Sequence, residues 1–262
     1  MKKYKHRFTE KESDITIVSD SVIAIKKAID TFYSERKLLE DYVAKHKNFL
    51  KSFKPVKIDT NFKIINLMER YSRLCEVGPM ATVAGALADL MVKSMKDEEK
   101  LKENAAKVAL VENGGEIFID SEEELTIALY AGNNNLNLNL GFLIEKWNNP
   151  IGIATSSGTV GHAFSFGDAD AVTIFAENAT LADGAATKIA NLVKGNDIEK
   201  SIKIGLDAAQ DIAGVRGVFI SRRNMVGHIG KIPKMIKIEG NKSKILIDKT
   251  EKVLPSEFKN FK

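Results

Sequence analysis

The chain has 262 residues, of which 44% are hydrophobic and 28% are charged, a balance typical of a globular protein that excludes disordered and collagen-like classes. Its single cysteine, Cys75, excludes an intrachain disulfide. The formal net charge of +4, from 39 basic and 35 acidic residues, is small for a nucleic-acid-binding protein, and only the lysine-rich ends favour such a partner.

The first 20 residues carry charges of both signs and no apolar stretch, so we expect no signal peptide. No run reaches the roughly 18 apolar residues that a transmembrane helix needs. We therefore expect a cytoplasmic protein without a membrane partner.

The first hundred residues are predicted to be mainly helical after an initial strand region over 4–19. Asp20 or Ser21 is expected to cap the first helix, and Lys54-Pro55 is expected to end it near Phe53. The predicted helices of this part are 21–53, 61–74 and 80–95.

The third of these helices is unusually rich in small residues and carries no charge until Asp89. Ala81, Ala84, Gly85 and Ala88 form its small-residue side. A helix of this kind packs very close to another backbone or to a ligand.

After Asn104 the pattern changes to strands with two further helices. Two apolar runs flank an Asn-Gly turn, which is a strong hairpin signal. The predicted strands are 108–111, 117–119, 125–131, 136–144, 151–155, 170–176, 215–221, 226–229, 234–238 and 244–247, and the predicted helices are 180–193 and 198–212. There is no regular strand–helix alternation, so we predict an α+β fold with a largely antiparallel sheet and packed helices, in a single domain over 1–262 with a soft boundary near 96–104.

Two segments are too rich in small polar residues to be only core. Asn113, Gly114, Gly115 and Glu116 are typical of a hairpin turn whose glycines supply positive φ, or of a backbone N–H nest that faces a ligand phosphate. The second segment runs from a strand into Thr155-Ser156-Ser157-Gly158 and reaches His162. It is either an ordinary polar loop or a place where a ligand approaches the backbone, and a lone histidine is most often structural.

A third segment, 180–187, places Asp183 and Thr187 four residues apart, hence on one face of a helix. A carboxylate and a hydroxyl on one face suit Mg²⁺, which completes its shell with water and phosphate oxygens. Thr180 and Asp183 equally fit a capping box at the start of that helix. The usual P-loop, dinucleotide, zinc and serine-nucleophile motifs are absent from the sequence.

Taken in this order, the segments resemble the ApbE family, the flavin transferases that move FMN from FAD onto a protein threonine. That family has a small-residue helix after a glycine, an N-x-G-G-D-like turn, a T-S-G strand end, a histidine and an A-D-x-x-x-T helix. The counterparts here are 78–89, Asn113 to Glu116, Thr155 to Gly158, His162 and 182–187. More closely, the chain resembles an uncharacterised, shorter branch of that family from archaea and bacteria.

The resemblance implies a role for each segment. Asp183 and Thr187 would bind Mg²⁺ beside the FAD pyrophosphate, Asn113 to Glu116 and Thr155 to Gly158 would line the flavin site, and His162 would be the catalytic acid or base. The implied partners are FAD or another phosphorylated ligand and an acceptor protein, and a homo-oligomer is compatible with the sequence.

The sequence also departs from the family pattern. No D-P-x-T-G follows His162, only three residues separate T-S-G from that histidine, and Ala84 stands where the family has a lysine. These departures favour an alternative, a non-catalytic cofactor-binding or assembly protein on the same fold.

Overall fold

The computed structural model describes residues 2–131, 134–157 and 167–239, and these residues form the predicted α+β fold with antiparallel sheets. The strands are β1 Tyr4–Glu10, β2 Ser13–Ser19, β3 Val108–Asn113, β4 Glu116–Ser121, β5 Leu125–Ala128, β6 Leu140–Ile144, β7 Ile151–Ser156, β8 Ala171–Ala176, β9 Val215–Arg222, β10 Met225–Gly230 and β11 Lys234–Lys237. The helices are α1 Val22–Lys45, α2 Lys47–Lys51, α3 Lys63–Leu74, α4 Val83–Met95, α5 Glu98–Leu101, α6 Ala179–Leu192 and α7 Ile198–Gln210. The predicted strand over 244–247 lies outside the described residues.

One large sheet runs through both halves of the chain. Its eight strands lie in the order β1-β2-β3-β4-β7-β8-β9-β10, and a second sheet has the order β11-β6-β5. The two halves of the large sheet join where β4 pairs with β7, with Ile117 opposite Ile153. This junction matters because the candidate site lies at one end of these two strands.

The large sheet is covered on both faces. Alternate residues of a strand point to opposite faces, so Val111 packs under the helices while Leu110 packs toward the small sheet. Helices α1, α3 and α4 cover strands β2 and β3, whereas α6 and α7 cover β8 and β9. Side chains of the helix-covered face therefore meet helix side chains, and this face carries most of the candidate site.

The long first helix is shorter than predicted. Ser21 is its N-cap, with its hydroxyl accepting a hydrogen bond from the backbone N–H of Ala24 at 3.2 Å. The helix ends at Lys45 because His46 adopts a non-helical backbone, with its ring stacked 4.1 Å from that of Tyr42. The short helix α2 follows. The apolar spacing of the sequence therefore continues from α1 into α2, although the helix itself is interrupted at His46.

The predicted strand over 136–144 is also too long, since its first residues form turns and only Leu140–Ile144 is strand. Alternating Asn and Leu imitate the period of a strand, but the asparagine side chains bond to nearby backbone instead. Asn134 accepts from the N–H of Leu136 at 2.9 Å, and Asn137 accepts from that of Ala131 at 2.9 Å. Such local side-chain hydrogen bonds compete with the backbone hydrogen bonds that pair strands in a sheet.

The third predicted helix begins as a 3-10 turn over Pro79–Thr82 and becomes α-helical at Val83. Its small-residue side meets another backbone, as predicted. A Cβ built on Gly85 would lie 2.3 Å from the carbonyl oxygen of Ala179 at the start of α6. Only glycine allows α4 and α6 to approach this closely.

No single helix of the described residues is long and apolar enough to span a membrane, although α3 and Pro79–Met95 together meet the length and composition test across a 101° bend.

Candidate functional site

The predicted hairpin turn at 113–116 is confirmed. Asn113 and Glu116 are paired at the end of the β3–β4 ladder. Gly114 and Gly115 between them have φ of 71° and 123°, values that favour glycine. A Cβ built on Gly115 meets no atom within 4 Å, so the described residues leave open space beside this turn.

The side chain of Asn113 connects the turn to helix α4. Asn113 is only 3% exposed, and its amide group donates a hydrogen bond of 3.3 Å to the carbonyl oxygen of Ala84. A buried amide needs such partners. The contact fixes the turn against the first turn of the small-residue helix.

Asp183 reaches the same turn of α4 from helix α6. Its carboxylate accepts a hydrogen bond of 3.0 Å from the N–H of Gly85. The first N–H groups of a helix lack intrahelical partners and carry partial positive charge, so the carboxylate caps α4. Burial raises the pKa of Asp183, and the charge of Asp89 raises it further, while the backbone hydrogen bonds from Gly85 and Ala84 act in the opposite direction.

Glu116 places a second carboxyl group beside Asp183. Burial raises the pKa of Glu116 well above its ordinary value, and the charges of Asp183 and Glu112 raise it further. No Lys or Arg of the described ranges forms a salt bridge with Glu116 or Asp183. Two neighbouring carboxyl groups without a cationic partner form a site that a bound cation would stabilise.

Thr187 lies one turn beyond Asp183 on α6 and is half-buried. The nearby Cys75 is buried, and burial raises the pKa of its thiol to about 12, so it stays protonated and is a poor ligand. Across the parts of the chain that the structure describes, no group of three or more His, Cys, Asp or Glu side chains is arranged to hold a metal. Asp183 and Glu116 therefore bring two neighbouring carboxyl groups to this site, and Thr187 lies one turn along α6 from Asp183.

The end of β7 lies beside the β3–β4 turn, because β7 runs antiparallel to β4 with Ile153 opposite Ile117. Thr155 and Ser156 nevertheless point to opposite faces of the sheet. The hydroxyl of Thr155 lies 3.0 Å from that of Thr173, on the face that packs toward the small sheet. Ser156 is on the helix-covered face together with Asp183, and Ser157 follows at the end of the strand.

Gly158 and His162 lie outside the described residues, so the catalytic role of His162 and the cofactor role of Gly158 stay predictions.

The capping-box interpretation of Thr180 and Asp183 is wrong. The N-cap of α6 is Asn178, whose side chain accepts a hydrogen bond of 2.8 Å from the N–H of Leu181. The hydroxyl of Thr180 bonds instead to Asp89 of helix α4. Asp183 does cap a helix, but the helix is α4 and not its own.

Asp89 is the residue that the sequence interpretation missed. Its buried carboxylate accepts hydrogen bonds from the N–H groups of Ala179 at 2.8 Å and Thr180 at 3.0 Å. Each helix therefore supplies an aspartate to the first turn of the other. Two signals could have identified it: Asp89 is the first charge in an apolar helix, and Leu-Ala-Asp occurs at both 87–89 and 181–183.

Solved structures similar to this chain share its fold at low sequence identity. The flavin transferase ApbE from Vibrio cholerae matches with a TM-score of 0.52 and 13% identity, covering 88% of this chain and 97% of that one. The ApbE protein from Thermotoga maritima matches with a TM-score of 0.51 and 14% identity, covering 85% of this chain and 97% of that one. These likenesses show the fold.

Sequence relatives are much closer. A UPF0280 protein of Methanococcus maripaludis is 41% identical over 242 residues, which are 91% of this chain and 95% of the relative. A UPF0280 protein of Methanocaldococcus jannaschii is 38% identical over 239 residues, or 90% and 94%. The family model described as "AbpE bacteria" matches residues 1–219. The chain therefore belongs to the AbpE bacteria family, and its fold is that of the ApbE flavin transferases.

Proposed function

We propose that this protein binds a flavin nucleotide, FAD, together with Mg²⁺, and that it transfers the FMN part to a threonine of an acceptor protein. One observation carries the proposal. The β3–β4 turn, the first turn of α4 and Asp183 of α6 meet at one end of the large sheet, through the Asn113–Ala84 and Gly85–Asp183 hydrogen bonds. These are the segments whose order in the chain resembles the flavin transferases.

The residues at this end fit a hard cation. Asp183 and Thr187 would hold Mg²⁺, with Glu116 as a third oxygen donor on the neighbouring strand. Burial, with a further contribution from neighbouring acidic charges, raises the pKa values of Asp183 and Glu116, and a divalent ion would keep both ionised. Bound Mg²⁺ supplies charge neutralisation at the pyrophosphate, on which phosphoryl transfer depends.

The glycine turn fits the other half of the ligand. Gly114 and Gly115 expose backbone without side chains, so a phosphate or a planar ring can approach closely. Ser156 at the end of β7 has its hydroxyl group on the same face of the sheet as Asp183, and Ser157 follows it. Thr155 is not part of this proposal, since its hydroxyl bonds to Thr173 on the other face.

A non-catalytic binding protein is the alternative, and one position favours it. Ala84 stands where the flavin transferases have a lysine, and its carbonyl oxygen is already bonded to Asn113. Ala84 cannot supply the positive charge of a lysine to a phosphate.

Flavin fluorescence titrations test the binding step. FAD is expected to bind the protein in Mg²⁺ and to be released by EDTA, and Asp183→Asn should abolish the Mg²⁺ dependence. Asp207→Asn, an exposed aspartate of helix α7, is the matched control and should bind as the wild type does. Equal FAD binding in Mg²⁺ and EDTA would contradict the proposal.

Transfer is tested separately by mass spectrometry. A threonine-containing acceptor incubated with the protein, FAD and Mg²⁺ should form a phosphoester through its hydroxyl group and gain the mass of FMN less one water, with release of AMP. Mg²⁺-dependent FAD binding without such a product would establish the non-catalytic alternative.

A further inference from the structure

A large cleft lies between helices α3 and α4 on the helix-covered side of the large sheet, and Asp89 of α4 is among its lining residues. Its volume is about 820 Å³, within the range of about 300–1,000 Å³ that is usual for small-molecule sites. Phe118 and Asp120 of β4 and Pro150 just before β7 complete its lining. This open cleft therefore has the size of a small-molecule binding site.

Two helix faces give the cleft its positive charge. Lys63 and Arg70 are seven residues apart on α3, and Lys93 and Lys96 are three apart on α4. Residues at these spacings share one side of a helix, so each pair faces the cleft. Four cations thus border one cavity.

The acidic residues of the cleft have other partners. Asp120 pairs with Lys96 at 3.3 Å, and Asp97 accepts from the ammonium group of Lys100 at 2.7 Å. Asp89 is bonded to the start of α6, as described above.

The positive charges of these four side chains are balanced by acidic partners to different degrees. Lys96 has its partner in Asp120, and the charge of Lys63 acts on the carboxyl of Glu35. Arg70 and Lys93 are exposed, and neither forms a salt bridge within the described ranges. Arg70 instead lies over the ring of Tyr71, 5.3 Å from its centre. Arg70 and Lys93 therefore leave uncompensated positive charge at the cleft.

The cleft also has an apolar part. Leu67 and Phe118 are half-buried, Leu90 is 8% exposed, and Pro150 is exposed. An apolar lining with a few charged groups is typical of sites for small organic ligands. A simple inorganic anion would leave this apolar surface uncovered.

We propose that this cleft is a second ligand site, which binds a small organic anion with an apolar or aromatic body. The anionic group would face Arg70 and Lys93, and the body would lie against Leu90 and Phe118. The cleft borders the proposed flavin site at Asp89, one turn along α4 from Gly85, but its β4 residue Asp120 is four residues from Glu116, or about 13 Å at the rise of a strand. The proposal does not depend on the proposed function.

Isothermal titration with 1-naphthyl phosphate tests this site directly. The probe should bind saturably, and inorganic phosphate and 2-naphthalenemethanol should each bind much more weakly, because each has only half of the required chemistry. The double variant Arg70→Gln/Lys93→Gln should weaken binding by roughly tenfold or more, since one hydrogen bond between charged groups is worth about that factor. The affected side chains are exposed, so the variant should fold.

The matched control is Lys203→Gln/Lys231→Gln, which removes two exposed charges outside the cleft. It should leave naphthyl phosphate binding unchanged, as should Thr187→Val, which alters the flavin site. An absence of saturable binding, equal affinity for inorganic phosphate, or wild-type affinity in the Arg70/Lys93 variant would each overturn the proposal. A loss of binding in Thr187→Val would also overturn it, because the probe would then occupy the flavin site.

Discussion

Replacing Gly85 by alanine should force helices α4 and α6 apart. The new Cβ would lie 2.3 Å from the carbonyl oxygen of Ala179 and 2.8 Å from the Cα of Thr180. These atoms belong to backbone and cannot rotate away, so relief requires the two helices to separate by about 1 Å. The separation would lengthen the bond between the N–H of Gly85 and Asp183, now 3.0 Å.

The expected loss of stability follows from three terms. Overpacking of a buried contact costs about 1–3 kcal/mol, and weakening a hydrogen bond to a charged group costs about 1.5–3 kcal/mol. The higher helix propensity of alanine stabilises the folded protein by about 1 kcal/mol and offsets part of this loss. The net destabilisation is therefore about 3 kcal/mol, which corresponds to about 6–12 °C in melting temperature for a chain of this size.

Thermal unfolding followed by circular dichroism measures this effect, and Gly205→Ala is the matched control. Gly205 also lies within a helix, but the three atoms nearest to a Cβ there are side-chain methyl carbons of Val193, Ile220 and Ile189, at 2.7–3.3 Å, so relief requires side chains to shift and not two backbones to separate. We expect Gly205→Ala to change the melting temperature much less. If Gly85→Ala melts at or above the wild-type temperature, the close approach of α4 and α6 is not as described.

Three further predictions concern Asp89, Cys75 and Asn178. Burial raises the pKa of Asp89 to about 6, above its unfolded value of about 3.9, so its contribution to stability is greatest below about pH 4 and declines as the pH rises through 6. The free-energy difference between the wild type and Asp89→Asn, from urea unfolding, should therefore shrink by about 2 kcal/mol between pH 4 and pH 7; a pH-independent difference would contradict this. Cys75 is buried, and burial raises the pKa of its thiol to about 12. It should therefore react with Ellman's reagent only in denaturant. Rapid reaction of the native protein at pH 8 would contradict this, because it would show that the thiol is accessible. Asn178→Ala should lower the free energy of unfolding by about 0.5–2 kcal/mol through loss of the α6 N-cap. The control Asn61→Ala, at an exposed position, should leave that free energy unchanged. Equal stability of the two variants would contradict the capping assignment.

Local signals in the sequence predicted most of the fold. The glycines of the β3–β4 turn and the apolar period of α3 depend on nearby residues, and both elements were predicted correctly. The Asn-rich segment before β6 was predicted wrongly, because the period of a strand does not reveal asparagine side chains that bond to the backbone. The break at His46 was missed because the apolar spacing continues through it.

The site was predictable only in part, because its key contacts join residues distant along the chain. The sequence motifs identified Asp183 and the turn at Asn113 as candidate site residues. However, no residue nearby in the sequence indicates that Asp183 accepts a hydrogen bond from Gly85, or that Asp89 binds the backbone at the start of α6. The sequence also grouped Thr155 with Ser156, although strand alternation places their side chains on opposite faces once the register is known.

The dissociation constant of FAD in Mg²⁺ for Thr187→Val tests the metal pair most directly. Asp183 also caps helix α4, so its replacement could affect both the fold and the metal. The Thr187 hydroxyl forms no hydrogen bond with another side chain or backbone group of the described residues, so a change in FAD binding cannot be attributed to a lost cap. Thr31→Val is the matched control, since its hydroxyl bonds only within α1, to the carbonyl oxygen of Lys27. We expect weaker Mg²⁺-dependent FAD binding in Thr187→Val and wild-type binding in Thr31→Val. Equal dissociation constants for Thr187→Val and the wild type would contradict the assignment of Thr187 and Asp183 as the metal pair.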